Sequence, residues 1–479
     1  MIDHQLDQKI KEWINAHREE LLAQWMELIR IPSVRGESAP GAPFGLPSKK
    51  AMDTAAGFYE QAGFSVRTEE ENYYALADWG SGAKTIGLFG HCDVVAAGEG
   101  WRYTDPFEPV IIDGYLIGRG CKDDKSGVMA SLTAMRILKE LQIPFNSRIR
   151  AYIGPAEESR MPDMVRFVEK EEMPDLSLVP DSSFPCSLGE KTILRFTAEQ
   201  TTPFRDILDF TGGKAMNVVL DQVTVTLRKI KGLAEELQAR IAGKTEYALT
   251  VADDTVILKA TGIPKHAGHP EGSVNAAALA AMILKECQSL CEEDRSCMAQ
   301  LAHWLGDYWG NSFGIAFDDP DFGKLTAANG IVRTENGCCS FTTDIRFGTS
   351  LDHLETEAAL TRLMEESGWR ITYMHNRKGF KADPESPIPG TFTAIYKELT
   401  GADAKPYYMS GGTYARHLKN AFTVGSSAYD PNSKAICPEM PAGHGGAHQK
   451  DEFISIDGHF QGVRVLVHYL LACDRFLNE

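Results

Sequence analysis

Basic residues are scarce relative to acidic ones in this 479-residue sequence. Lysine and arginine together number 49, against 66 aspartates and glutamates, which gives a formal net charge of −17. Proteins that bind nucleic acid need a basic surface, so this balance argues against a nucleic-acid partner. The acidic excess itself is typical of a well-solvated protein surface.

Long apolar runs are also absent from the sequence. No stretch reaches the roughly 18 consecutive apolar residues that indicate a membrane span, so we expect no membrane partner. The start, Met1 to Gln5, lacks the basic segment and apolar core of a secretory signal. The ten cysteines are scattered and include the neighbours Cys338 and Cys339. We therefore expect reduced thiols and a cytoplasmic location.

The chain is too long for one core, because domains usually have roughly 50–250 residues. Before about residue 190, apolar runs such as Thr85–Phe89 alternate with helical patterns such as Ser126–Leu141. This alternation predicts an α/β fold with a mostly parallel, helix-covered sheet. We predict that this domain comprises residues 1–190 and 385–479, and that residues 191–384 form an inserted α+β domain.

Side chains that bind metals or protons follow the predicted strands of the first domain. In chain order they are His91, Asp93, Asp123, Glu157, Glu158 and Asp181. Ligands of open α/β sheets bind outside the carboxyl ends of the strands, so we expect these side chains to converge. Glu157 and Glu158 would point opposite ways in extended backbone, so one could bind metal while the other faces water. The pattern predicts a pair of metal ions that hydrolyse an amide bond.

Each motif taken alone has an ordinary structural explanation. A His-x-Asp pair can be structural, and a Glu-Glu pair is usually a solvated face. The glycine turn at residues 118–120 fails the dinucleotide fingerprint, because Asp123 stands where the third glycine belongs. Cys92 should point away from both of its neighbours in a strand, so we assign it to packing. A metal site is favoured over these separate explanations because four such clusters, at residues 91–93, 123, 157–158 and 181, occur in one domain.

With these motifs in view, the chain resembles the co-catalytic zinc metallopeptidases that include aminoacylase, glutamate carboxypeptidase and carnosinase. The resemblance covers essentially the whole chain. Besides the residues above, it rests on Trp101, Asp105-Pro106-Phe107 and Gly118–Lys125. The stretches Gly411–Arg416 and Gly446–Glu452 are most similar to the bacterial dipeptidase V branch. The resemblance implies a phosphorylase/hydrolase-like catalytic domain and a lid formed by residues 191–384.

The resemblance also implies a role for each residue of the first domain. His91 and Asp181 bind one metal, Glu158 and His448 bind the other, and Asp123 bridges them next to a cis peptide to Asp124. Glu157 is the general base, and Asp93 orients His91. His444 competes for the last ligand position, although His448 is preferred because Asp451-Glu452 follows it. The ligand types suit zinc, and also manganese or cobalt.

The insertion and the second glycine-rich stretch supply the implied substrate contacts. His266 matches a histidine that donates to the oxyanion of the tetrahedral intermediate, whereas His269 is expected on the surface. The other implied contacts are Asn217, Arg346, Gly411, Gly412 and Thr413. Arg346 could hold a substrate carboxylate with two parallel hydrogen bonds, or form a salt bridge with an acid of its own domain. Lys122 departs from the family pattern and adds a positive charge beside the bridging position.

The predicted activity is hydrolysis of small, unblocked dipeptides by a dinuclear metallopeptidase, with two divalent ions that are most simply Zn²⁺. The alternative is an N-acyl amino-acid deacylase, which would use the same site. A catalytically silent binding protein is disfavoured, because all five ligand positions and the base are present. The insertion is longer than the dimerisation domain of relatives, so the resemblance implies a monomer.

Overall fold

The computed structural model describes residues 2–441 and 443–479 and divides into two compact units. Unit 1 comprises Met1–Gly189, Ala382–Tyr407 and Gly412–Glu479. Unit 2 comprises Glu190–Lys381 and Tyr408–Gly411. The chain therefore leaves unit 1 twice, once for a long insertion and once for four residues.

The first segment of unit 1 alternates helices and strands. Its elements are α1 (His4–Ile29), α2 (Leu46–Gln61), β1 (Ser65–Thr68), β2 (Ala75–Trp79), β3 (Thr85–His91), β4 (Val110–Ile112), β5 (Tyr115–Ile117), α3 (Lys125–Glu140), β6 (Arg148–Gly154), α4 (Pro162–Lys170), β7 (Leu176–Ser182) and β8 (Ser187–Glu190). The Asp124 side chain caps α3 by accepting a hydrogen bond from the Gly127 N–H.

Unit 1 ends with elements that complete the same domain. They are α9 (Ile388–Thr400), a 3₁₀ helix (Tyr414–His417), β21 (Ala421–Gly425), β22 (Phe453–Ser455) and α10 (Ile456–Asn478). The short strand β20 (Tyr407–Met409) begins in unit 1, but its last two residues belong to unit 2. None of the helices in the described residues combines the length and apolarity that crossing a bilayer requires.

The central sheet of unit 1 has the strand order β1-β2-β6-β3-β7-β21. Strands β6, β3, β7 and β21 run parallel to one another, whereas β2 pairs antiparallel with both β6 and the edge strand β1. The sheet is thus parallel where the polar strand ends occur. All seven residues of β3 are buried, which explains why its sequence shows no polar alternation.

Helices cover both faces of this sheet. On one face, Phe89 and Tyr152 occupy paired positions on β3 and β6, and Phe167 of α4 packs edge-on against both rings. Their neighbours Leu88 and Ala151 point to the other face, where they join a core that includes Val128 of α3. Because β3 is covered on both sides, only its ends are open to ligands.

Unit 2 contains its own sheet, helices and core. Its elements are β9 (Thr192–Gln200), β10 (Ile207–Gly212), β11 (Gln222–Arg228), α5 (Leu233–Ile241), β12 (Tyr247–Val251), β13 (Thr255–Thr261), α6 (Ala276–Leu284), α7 (Glu292–Leu305), β14 (Asp318–Asp319), β15 (Gly323–Lys324), β16 (Thr326–Glu335), β17 (Cys338–Phe347), α8 (His353–Glu366), β18 (Trp369–Arg377) and β19 (Phe380–Lys381). The main sheet has the order β12-β13-β11-β10-β16-β17-β9-β18, and every neighbouring pair is antiparallel.

The apolar pattern of residues 274–290 predicts one continuous helix, but the helix in the structure is shorter. Helix α6 ends at Leu284, and α7 begins only at Glu292. The start of α7 is stabilised by long-range contacts that the spacing of apolar residues does not predict. The Asp294 carboxylate in the first turn of α7 accepts hydrogen bonds from the backbone N–H groups of Asp206 and Ile207.

Candidate metal centre

Three of the predicted ligands of unit 1 lie at or just beyond the carboxyl ends of three parallel strands. His91 is the last residue of β3, and Asp181 lies near the end of the neighbouring strand β7. Strand β6 ends at Gly154, so Glu157 and Glu158 belong to the turn that follows it. The expectation that the two glutamates lie in extended backbone is therefore wrong.

Asp93 fixes the geometry of that turn. One of its carboxylate oxygens accepts a hydrogen bond from the Glu157 N–H at 3.0 Å, and the other accepts one from the Glu158 N–H at 3.1 Å. The Oδ1 atom of Asp93 also lies 3.3 Å from Nδ1 of His91. The Asp93 carboxylate thus positions the His91 imidazole and the backbone of both glutamates, whereas the predicted role was to orient His91 alone.

Five side chains form two groups that share one carboxylate. His91, Asp123 and Asp181 make up the first group, and Asp123, Glu158 and His448 make up the second. Within each group the potential ligand atoms lie within 4.8 Å of one another. One oxygen of Asp123 is 3.2 Å from Nε2 of His91, and the other is 3.1 Å from Nε2 of His448. Asp123 therefore lies between the groups, as a bridging carboxylate would.

The protonation of His91 fits a metal ligand. Its Nδ1 atom lies 3.0 Å from the carbonyl oxygen of Asp93, so Nδ1 carries the hydrogen and donates it. Nε2 then presents its lone pair toward Asp123 and Asp181. This Nε2 is buried and makes no hydrogen bond with any described residue. A buried acceptor facing two carboxylates needs a cation or a proton between them.

His448 completes the second group from a loop far along the chain. Its Nε2 lies 2.8 Å from Oε1 of Glu158, and its backbone φ of +62° is in the left-handed region. Non-glycine residues seldom adopt that region except where the surrounding structure requires it. His444, the competing candidate, lies outside both groups, and its Nδ1 pairs with the Asp451 carboxylate.

The turn that carries Asp123 is held by Glu452, a residue whose role is not evident from the sequence. Oε1 of Glu452 accepts hydrogen bonds from the backbone N–H groups of Lys122 at 2.8 Å and Asp123 at 3.0 Å. Oε2 accepts from Gly120 N at 3.1 Å and from the Arg119 guanidinium at 2.6 Å. The segment that supplies His448 is thereby tied to the turn that supplies Asp123.

Charge and burial together give the site unusual protonation equilibria. Burial raises the pKa of Glu157 well above its usual value, His91 opposes the rise, and the charge of Glu158 adds to it. Burial disfavours the charged form of His448, but hydrogen bonds to Asp123 and Glu158 outweigh it and raise the pKa to about 11. His448 thus holds a proton between two carboxylates, and a metal cation can take the place of that proton.

Cys92 is fully buried between His91 and Asp93 and belongs to the apolar core of unit 1. Burial raises the pKa of its thiol to about 12. Only the thiolate binds metals well, so Cys92 is suited to packing and not to coordination.

Unit 2, taken by itself, brings together His266 and Arg346. The Arg346 guanidinium donates to Asp344 at 2.8 Å and to the Ser410 carbonyl at 2.7 Å, and one of its nitrogens is 3.4 Å from Nε2 of His266. Arg195 donates to the other oxygen of Asp344 at 2.6 Å. The salt bridge foreseen as the alternative for Arg346 is therefore present, and it fixes the guanidinium in one orientation.

The ring of His266 is oriented by its own loop. The Gly268 N–H points at Nδ1 of His266 at 3.2 Å, and the Arg346 guanidinium lies 3.4 Å from Nε2. In the tautomer whose Nδ1 accepts from Gly268, Nε2 carries the hydrogen and faces the guanidinium as a second donor, which favours an anionic oxygen beside both. Asn217 is next to this pair, since its carbonyl accepts from Ala267 N at 2.8 Å. His269 is exposed, as expected.

The second glycine-rich stretch divides between the two units. Gly411 ends the short segment of unit 2 that also contains Ser410, whereas Gly412 and Thr413 belong to unit 1. A Cβ at Gly412 would lie 2.0 Å from the Arg416 guanidinium, so a larger residue there would require that side chain to move. The Thr413 hydroxyl caps the 3₁₀ helix by accepting from Ala415 N at 3.2 Å. Thr413 therefore has a structural role in addition to any contact with substrate.

A parallel-strand edge that carries two carboxylate–histidine groups around a shared aspartate is typical of metal-dependent hydrolases. The family model described as "Peptidase family M20/M25/M40" matches residues 87–472. The chain therefore belongs to this peptidase family and is a hydrolase. Members of the family use divalent metal ions, and the two ligand groups are where this chain could hold them.

Similar proteins cover nearly the full length of the chain. "Putative dipeptidase YtjP" of Bacillus subtilis (strain 168) is 28% identical over 454 residues, which cover 92% of this chain and 94% of that protein. "Putative dipeptidase SSP1012" of Staphylococcus saprophyticus subsp. saprophyticus is 28% identical over 485 residues, which cover 96% and 98% of the two chains.

Solved structures share the fold at low sequence identity. Human carnosine dipeptidase 1 matches with a TM-score of 0.60 and 14% identity, covering 98% of this chain and 99% of that one. The dipeptidase Dug1p from Saccharomyces cerevisiae matches with a TM-score of 0.61 and 14% identity, covering 99% of both. At this identity the likeness shows a common fold.

Proposed function

We propose that this chain is a metal-dependent dipeptidase that hydrolyses unblocked dipeptides, with Glu157 as the general base. One observation carries the proposal: two ligand groups share Asp123, and a buried carboxylate without a metal-ligand role lies beside them. The names of the similar bacterial proteins support the dipeptide as the substrate class.

The donor set fits two divalent ions, most simply Zn²⁺, with Mn²⁺ or Co²⁺ compatible with the same ligands. His91 and Asp181 would hold one ion, Glu158 and His448 the other, and Asp123 would bridge. Such ions polarise a carbonyl group and lower the pKa of water. Asp93 keeps the Nε2 lone pair of His91 in place and positions the turn of Glu157.

Glu157 is suited to proton transfer. Its carboxylate makes no hydrogen bond with another described residue, and burial raises its pKa well above the usual value, which makes the carboxylate a stronger base. As a base it takes the proton from the attacking water, and as the resulting acid it gives that proton to the leaving amine. Both steps use the same carboxylate, so a neutral amide at position 157 supports neither.

The residues of unit 2 have proposed roles at the substrate. The Nε2–H of His266 would donate to the oxyanion that forms at the scissile carbonyl. Arg346, held by Asp344, would bind the C-terminal carboxylate, with Asn217, Gly411, Gly412 and Thr413 as further contacts. We accordingly propose that unit 1 is the catalytic domain and unit 2 the lid of a cytoplasmic monomer. A sedimentation mass twice that of the chain would count against the monomer.

The test is Glu157→Gln assayed on a dipeptide panel, with Glu60→Gln, an exposed residue of α2, as the matched control. We expect Glu157→Gln to lower kcat by about 10²–10⁴-fold, with metal content equal to that of the wild type. The control should keep full turnover. Retained turnover in Glu157→Gln would refute the base, and faster cleavage of N-acetyl amino acids than of dipeptides would favour the deacylase instead.

A further inference from the structure

A polar cavity lies beside the proposed metal centre, and all the residues that line it belong to unit 1. Its volume of about 470 Å³ is within the range of small-molecule sites. Asp123 and Asp181 form part of its wall, so the cavity is continuous with the metal ligands. Lys122, Ser183 and Ser427 contribute polar groups to the remainder.

The backbone of Lys122 is fixed at both ends. Its N–H donates to Glu452 at 2.8 Å, and its carbonyl accepts from the Ser126 hydroxyl at 2.7 Å. Its side chain is exposed and makes no ion pair or hydrogen bond with another described residue. The root of the side chain is therefore held at the cavity while its ammonium is available to a ligand.

The hydroxyl groups of the cavity are arranged to donate. Ser126 uses its hydrogen on the Lys122 carbonyl, so the nearby Ser426 hydroxyl donates to Ser126 at 2.8 Å. The Ser427 hydroxyl has no hydrogen-bond partner among the described residues, so it can donate into the cavity, whereas the Ser183 hydroxyl is hydrogen-bonded to Tyr407. An ammonium and a free hydroxyl donor form a good binding site for a carboxylate.

The carboxylates in the cavity wall do not prevent a carboxylate ligand from binding. Asp123 and Asp181 belong to the proposed ligand groups, where bound cations would neutralise their charge. The charge left for a ligand in the cavity is then that of Lys122. A cationic side chain would face the Lys122 ammonium there and lose hydration without gaining a matching partner.

We propose that this cavity binds an acidic side chain on the N-terminal residue of the substrate, so that Glu-Xaa and Asp-Xaa dipeptides are the preferred class. The proposal rests on the function proposed above. That function assigns the C-terminal carboxylate to Arg346 and the scissile carbonyl to the metal centre, which leaves the N-terminal side chain for the cavity in unit 1. Lys122 is then the residue that distinguishes glutamate from the isosteric glutamine.

The experiment compares kcat/KM for Glu-Ala and Gln-Ala within each variant, so that any loss of overall activity cancels in the ratio. We expect the wild type to favour Glu-Ala by about tenfold or more, the size of a charge-assisted hydrogen bond. Lys122→Met should bring the ratio close to one. Lys50→Met, which removes the same charge from an exposed position on α2, should keep the wild-type ratio.

Binding supplies a second measurement that does not depend on turnover. Calorimetry on the wild type should show tighter binding of L-glutamate than of L-glutamine, and Lys122→Met should remove that difference. Cleavage of dipeptides with a ratio near one in the wild type would overturn this inference and leave the dipeptidase intact. An unchanged ratio in Lys122→Met would also overturn it. Failure to cleave any dipeptide would instead refute the proposed function.

Discussion

The contact between Glu452 and the turn of Asp123 provides a sharp test of how the site is assembled. Four donors converge on one carboxylate that is completely buried, and each of its oxygens accepts two hydrogen bonds. In Glu452→Gln the amide nitrogen must replace one of these oxygens. Whichever way the amide turns, two buried donors then face an N–H₂ group and lose their acceptor.

The expected cost follows from that count. An unsatisfied buried donor costs about 1–3 kcal/mol, so two of them lower the free energy of unfolding by about 2–6 kcal/mol. Because one displaced donor can be the Asp123 N–H, the bridging carboxylate also loses its anchor. We therefore expect weaker binding of the ion shared by Asp123, Glu158 and His448, even where the protein remains folded.

The assay has two parts on the same purified protein. Urea unfolding of the metal-free protein, followed by circular dichroism, measures stability, and a titration with Zn²⁺ measures metal affinity. Glu60→Gln, on the surface of α2, should unfold within about 0.5 kcal/mol of the wild type. The reasoning is refuted if Glu452→Gln matches that control in stability and matches the wild type in metal affinity.

Three further outcomes follow from charge and burial. Without metal, His448 has a pKa of about 11, so metal binding at pH 7 must displace its proton, and metal affinity should rise with pH. Calorimetry in buffers of different ionisation enthalpy should detect the released proton. Metal binding without proton release would contradict the prediction. Burial opposes the charge on Asp7, but hydrogen bonds from His468 and Arg464 hold its pKa below the usual range. Asp7→Asn should therefore lower the free energy of unfolding by about 3 kcal/mol at pH 7. The difference in stability between variant and wild type should shrink as the pH falls below about 4. A difference that does not change with pH would contradict the prediction. Cys437 is the exposed member of the ten free cysteines, so native protein should show one fast-reacting thiol that Cys437→Ser removes.

Local sequence was sufficient for much of unit 1. The apolar run that begins at Thr85 became a buried strand, and the helix expected after Asp123 begins at Lys125. These elements depend on side chains a few residues apart, whose periodicity sets which face is buried. The polar residues at the strand ends were likewise visible, since parallel strands bring their carboxyl ends to one edge.

Other features depended on contacts that local pattern does not contain. Glu157 and Glu158 looked like an extension of β6, but Asp93 captures both backbone N–H groups from 64 and 65 residues away and holds them in a turn. The break between α6 and α7 likewise depends on Asp294, which binds a segment 88 residues earlier in the chain.

The sequence by itself determined which chemical groups stand at the strand ends, because strand and helix formation are decided by neighbours along the chain. The choice between His444 and His448 could only be argued from resemblance. In the folded chain Asp451 pairs with His444, while His448 lies at hydrogen-bonding distance from Glu158, 290 residues away. Tertiary structure decided such partners, because a carboxylate in the interior satisfies whichever donors the whole fold brings to it.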